Sequence, residues 1–189
     1  MFIQTEQTPN PASLKFLPGC EVMGRGTAEF SSAEAAVNAS PLAERLFKIN
    51  GVANVFLGSD FVTVTKAETA SWPALKVLLL GALMEHFSTG QPVMKDEHLL
   101  EASQKSSISE HDTEIVKQIK ELLDTRIRPA VAQDGGDIEF DSFEDGIVFL
   151  AMRGACAGCP SSTLTLKSGI ENLLKHFIPE VVEVRAVNG

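Results

Sequence analysis

Residues 137–177 read DIEFDSFEDGIVFLAMRGACAGCPSSTLTLKSGIENLLKHF, and the hydrophobic period changes along them. Asp137 to Phe143 and Gly146 to Met152 are strand-like, and Glu144-Asp145-Gly146 supplies the turn between them. RGACAGC follows, and a helix is predicted from Pro160, with Leu164, Ile170, Leu173, Leu174 and Phe177 on its buried face. Upstream, Ile115, Ile119, Leu122, Leu123, Ile127 and Val131 recur at helical spacing, so a helix is predicted over 113–132, ended by Asp134-Gly135-Gly136. Val181 to Val187 closes the segment as a strand. The predicted order is α-β-β-α-β, with the CxxC between a strand end and a helix start.

The first half of the chain reads as another small α+β layer. MFIQTEQ alternates like a strand, TPNP is a turn signal, and another strand lies near SLKFLP. Ser40-Pro41 supplies an N-cap and first-turn proline for a helix through Phe47. Val52 to Leu57 and Phe61 to Thr65 are strand-like and joined by Gly58-Ser59-Asp60 as a hairpin. A further helix is predicted from Ser71-Trp72-Pro73 to about Phe87. Between the halves, DEHLLEASQKSSISEHD is polar with a Ser-rich middle, a poor core element and a reasonable linker. The expected architecture is therefore α+β in two small domains, residues 1–96 and 113–189, joined by a linker over 97–112.

The net charge of -9 and the pI near 4.9 argue against a general affinity for nucleic acid or anionic membranes, which need a positive field. Residues 1–106 carry 8 basic against 11 acidic side chains, and residues 107–189 carry 8 against 14, so the cysteine-bearing half is the more acidic. The most apolar run, Val77 to Met84, is far short of the roughly 20 residues that a bilayer requires. The N-terminal residues have neither a secretory pattern nor the Arg-rich pattern of a mitochondrial address. A cytoplasmic protein, or an organellar one already trimmed, is expected.

Three cysteines do not make a disulfide framework, and a close pair in a reducing compartment reads as metal-binding or redox-active. Pro160 suits the first helical position, which would make Cys159 the N-cap and set the thiols near the positive end of the helix dipole. A helix terminus favours a nearby anion by about 0.3–1 kcal/mol, and by up to ~2 kcal/mol when partly buried, enough to lower a thiol pKa by roughly one unit from ~8.5. Ala157 and Gly158 are small, so the loop is expected to curl without covering the sulfurs. Arg153 reads either as an offset for thiolate charge or, preferably, as a solvated strand-end arginine.

Three readings of the pair compete. A dithiol–disulfide catalyst also sets CxxC at a helix start, but CAGC is not a CGPC-type turn, no Trp-Cys precedes it, and the surrounding strands do not read as that fold. A structural zinc site wants a second Cys or His pair, and none exists. Cys20 lies in the other domain, and His86, His98, His111 and His176 are scattered singly and read as surface or helix-end residues. The third reading takes the missing thiolates from another copy of the chain across a two-fold axis, an arrangement from which an iron–sulfur cluster could leave.

DGGDIEFDSFEDGIVFLAMRGACAGCPSSTLTLKSGIENLLKHFIPEVVEV resembles the C-terminal domain of NifU and of the Nfu iron–sulfur carrier proteins. MFIQTEQTPNPASLKFLPG, with LFKINGVANVFLGSDFVTVTK, is similar to the domain that precedes it in the mitochondrial and α-proteobacterial type of Nfu. The resemblance implies that Cys156 and Cys159 ligate a 4Fe-4S cluster bridging a homodimer. It also implies that the cluster comes from upstream assembly proteins and passes to apo iron–sulfur enzymes, such as lipoyl synthase and aconitase-type clients. It implies a carrier and not an enzyme, and no catalytic residues are expected. The first domain binds no metal in that family, and Cys20 matches no ligand position, so it is read as a small apolar residue. The family's DGG element falls on Asp134, Gly135 and Gly136, which the sequence alone reads as a helix-stop turn demanding positive φ.

Overall fold

Side-chain alternation along the strands decides how the two halves are layered. The computed structural model describes residues 1–95, 112–158 and 160–187. Of the predicted linker, only Asp112 falls among them. The first half is a five-stranded antiparallel sheet of β1 (Gln4–Gln7), β2 (Ser13–Leu17), β3 (Ala28–Phe30), β4 (Val52–Leu57) and β5 (Val62–Lys66). Its spatial order is β1-β2-β5-β4-β3. Successive residues of a strand face opposite sides of a sheet. Leu14, Phe16, Phe30, Val55, Leu57, Val62 and Val64 therefore share one face, and they form a core with Leu42, Leu46, Leu75, Leu79 and Leu83.

Helices cover that face. The short α1 (Ala33–Ala36) precedes α2 (Pro41–Phe47), where Ser40 caps the first turn by accepting from the Ala43 N–H at 3.0 Å. The long α3 (Trp72–Thr89) ends at Gly90, whose φ of +66° closes the last turn. The expected strands and both expected helices are present. β3 and α1 were not anticipated, because three or four residues carry too little periodicity to read.

In the second half, β6 (Gly136–Glu144) and β7 (Ile147–Gly154) form an antiparallel hairpin, and β8 (Glu183–Val187) joins β7 in parallel. Asp145 and Gly146 both have positive φ, the backbone of a two-residue hairpin turn that matches strand twist. A parallel pair needs a crossover, and α6 (Pro160–Phe177) makes it. The predicted α-β-β-α-β order is observed. On α6, Ile170 and Leu174 are buried, but Leu164 and Phe177 are exposed, against expectation. The helix buries a narrower stripe than its apolar content suggested.

The helix predicted over 113–132 runs as α4 (Glu114–Leu122), a π-helical stretch (Leu123–Ile127) and α5 (Arg128–Gln133). Pro129 explains the irregularity, since it has no N–H to give to the carbonyl four residues back. Ile119, Leu123, Ile127 and Val131 nevertheless all reach the second core, with Ile138, Val148, Leu150 and Val184.

His86 lies in the last turn of α3, the helix-end position expected of it, but not at the surface. It is fully buried, and neither ring nitrogen has a well-formed hydrogen bond among the described residues. Burial, with the nearby Arg45 charge, lowers its pKa, and the main chain of Pro92 and Gln91 offsets this only in part. The unfolded chain therefore binds a proton near pH 6.5 that the folded one resists, so stability falls as pH drops below that value. The loss should be at most ~1.4 kcal/mol per pH unit, down to the folded pKa. Urea melts at pH 7 and pH 5.5 should show a smaller acid penalty for His86→Leu than for the parent chain; equal penalties would remove His86 as the cause.

Candidate functional site

Two glycines meet where the hairpin of the second half closes. Gly136 at the start of β6 pairs directly with Gly154 at the end of β7. A Cβ on Gly136 would overlap Cys156 Sγ and crowd the Arg153 carbonyl at 2.9 Å, so the sulfur occupies space that a side chain would fill. Beyond β7 the chain turns tightly. The Ala155 N–H donates to the Gly135 carbonyl at 3.2 Å, and the Ala157 N–H donates to that of Gly154 at 3.1 Å. Asp134-Gly135-Gly136 thus does more than stop a helix. Gly135 supplies the expected positive φ of +80°, while Gly136 makes room for the cysteine loop.

Cys156 is 6 % exposed and packs in the second core. This overturns the expectation that the small residues of the loop would leave its sulfur uncovered. Small side chains let the loop fold back onto Gly136, which buries the sulfur. On one side Cys156 lines an apolar groove of about 560 Å³ with Ala130, Leu166 and Ile170, and on the other a depression of about 290 Å³ with Met152 and Gly158. Pro160 opens α6 as predicted. Cys159, the other candidate ligand and the expected N-cap, lies outside the described residues.

The polar groups around the loop are committed. Arg153 is not a solvated strand-end arginine, because it pairs with Glu29 and Glu139, each at 3.4 Å. Buried Asp137 holds Arg128 through both carboxylate oxygens, at 2.8 and 2.7 Å. Burial opposes the Arg128 charge, but the hydrogen bonds and charges of Asp137 and Asp124 outweigh it and raise its pKa.

Glu29 belongs to the first half, and its partners reveal a contact that no sequence feature announced. Residues 13, 15, 29, 54, 56 and 63 alternate with the core residues of their strands and so point away from the first core. Yet Ser13, Lys15, Phe56 and Thr63 are buried, because the second half lies on that face. The Phe56 ring meets Gly154, where a Cβ would come within 2.9 Å of it. Thr63 Oγ1 donates to the Gly135 carbonyl at 2.7 Å, and Lys15 Nζ to that of Gln133 at 3.1 Å. The Gly154 N–H donates to Glu29 Oε1 at 2.9 Å, and Asn10 Nδ2 to the Ala157 carbonyl at 3.4 Å.

The remaining candidates stand apart. Cys20 is exposed in a depression with Phe2, Leu17 and Asp60, not the apolar filler expected of it, since it sits on a bend beyond β2. His176 is exposed on the last turn of α6, as expected, and His98 and His111 lie outside the described residues. Among the described residues no three His, Cys, Asp or Glu side chains are grouped to hold a metal ion. No described helix is long and apolar enough to cross a membrane.

Two family models match the chain. One, described as scaffold protein Nfu/NifU N terminal, covers residues 3–90, and the other, a NifU-like domain, covers residues 119–185. The chain is 55% identical over 183 residues to "NifU-like protein 4, mitochondrial" of Arabidopsis thaliana, covering 96% of this chain and 64% of that protein. It is 50% identical over 187 residues to "NFU1 iron-sulfur cluster scaffold homolog, mitochondrial" of Drosophila willistoni, covering 99% and 64%. The chain thus spans about two thirds or less of the length of these curated relatives. Among solved structures, a NifU-like protein from Saccharomyces cerevisiae aligns at 27% identity with a TM-score of 0.46, over 51% of this chain and 86% of that one.

The glycine packing generates a contrast. Gly136→Ala forces the Cys156 sulfur to move and should cost about 1–3 kcal/mol, the usual range for overpacking. Gly169, inside α6 with open space where its Cβ would stand, should instead gain about 0.5–1 kcal/mol as Ala. Paired urea melts of the two variants check both signs.

Proposed function

The chain belongs to the Nfu/NifU family of scaffold proteins, and on that premise we propose that it carries an iron–sulfur cluster as cargo between two copies of itself. The observation that carries the reading is the single CxxC of the sequence, whose Cys156 lies on the turn after β7 cradled against Gly136, with no second cysteine pair in the chain. Thiolates are the soft donors that iron–sulfur clusters take, and Cys156 and Cys159 supply two of them per chain. Two chains related by a two-fold axis complete four, the set for a 4Fe-4S cluster. Residues 1–96 and 113–189 act as its two domains, with 97–112 as the connection.

A site split between chains holds its cargo only while the chains stay together. Such a protein suits delivery, receiving the cluster from upstream assembly proteins and passing it to apo iron–sulfur enzymes without catalysing a reaction of its own. The excess of carboxylates in residues 107–189 favours protein clients over nucleic acid. Both relatives named above are mitochondrial, and an organellar matrix is the compartment we assign.

Anaerobic treatment of the full chain with iron and sulfide tests the reading. The expected product is a brown dimer with one cluster per two chains. Cys156→Ser and Cys159→Ser should each abolish the colour, and Cys20→Ser should retain it. A colourless monomer that reduces disulfides would replace the carrier with a dithiol redox protein, and loss of the cluster in Cys20→Ser would overturn the ligand set.

A further inference from the structure

The same loop that would have to meet a second chain is covered by the first domain of its own. Glu29 occupies the Gly154 N–H with one carboxylate oxygen and Arg153 with the other. Thr63 takes the Gly135 carbonyl, and Asn10 takes the Ala157 carbonyl next to the cysteine. Both cavities that Cys156 lines have walls from the first domain. Pro9 borders the apolar groove, and Glu29 and Asn54 border the depression. The turn is thereby gripped from both sides of the sulfur by a domain that contributes no cysteine to it.

We propose that this docked arrangement is a closed state, in which the first domain caps the Cys156 loop and must leave it before two loops can face each other. The proposal rests on the shared-cluster reading above. The chemistry of the contact suits reversible opening. Besides Phe56 and Pro9, the described contacts near the loop include four hydrogen-bonded groups of the first domain, Asn10, Lys15, Glu29 and Thr63, and an ion pair, and water can satisfy those groups on separation. Closure is intramolecular, whereas pairing of two loops is bimolecular. The apparent affinity of one loop for another is therefore reduced by the fraction of chains that are open. Weakening the cap raises that fraction and speeds cluster uptake.

Thiol alkylation of the reduced, cluster-free full chain reads the cap directly. N-ethylmaleimide modification of Cys156 is followed peptide by peptide, with exposed Cys20 as internal reference. In the parent chain Cys156 should react much more slowly than Cys20. Glu29→Gln and Thr63→Val, both nearly isosteric, should each accelerate Cys156 by about tenfold, the scale of losing one charge-assisted or buried hydrogen bond, with Cys20 unchanged. Equal rates for the two cysteines in the parent chain, or no acceleration in either variant, would overturn the cap. Reconstitution with iron and sulfide separates the two readings. Faster uptake in the variants supports both. Accelerated alkylation with no cluster in any form leaves the cap standing and removes the shared cluster.

Discussion

Two backbone segments, 135–137 and 154–156, approach so closely that neither could carry an ordinary side chain at its glycine. Gly136 faces Gly154 across the ladder, and what would be Cβ space is taken by Cys156 Sγ on one side and by the Phe56 ring on the other. From this approach follow the start of β6, the sharp turn after β7, the burial of the sulfur and the seat on which the first domain rests. Close packing leaves no slack here, because a protein interior has the density of an organic crystal. A methyl group at either glycine shifts the loop, and whatever the loop holds shifts with it.

The second domain was largely legible in the sequence. Its hairpin turn has a dipeptide signature in Asp145-Gly146, its helices have long apolar stripes, and Pro160 marks a helix start. These are local signals, each read within a few residues. The docking of the two domains has no such signal. Lys15, Thr63 and Glu29 occupy positions that alternation assigns to solvent, and their polarity agrees with that assignment. They are covered only because carbonyls and amides of a segment more than seventy residues away complete their hydrogen bonds. A similar blindness hid His86, whose ring sits at a helical position that reads equally well as the end of a polar face. For Cys156, small neighbours suggest openness in the sequence, whereas in the folded chain they permit close approach.

The division of labour between the two sheets also becomes plain. The first sheet spends one face on its own helices and the other on its neighbour, so it is covered on both sides although its outer face is polar. Burying Lys15 there is tolerable because its ammonium keeps Glu6 at 3.2 Å, the Gln133 carbonyl and the face of Phe61. Polar contacts of this kind join the two halves alongside the buried Phe56 ring.

The π-helical stretch at Leu123–Ile127 can be regarded as one residue too many in an otherwise regular helix. In an α-helix each residue turns the direction of its side chain by about 100°, so everything after the stretch is rotated by that amount relative to a regular helix. The rotation lets Arg128 face Asp137 while Ile127 and Val131 keep to the core. In evolutionary terms the extra residue is a phase adjustment. Removing it by a single-codon deletion would mend the helix locally while turning Arg128 away from its carboxylate, leaving Asp137 beside the glycine pair with a buried charge and no cation.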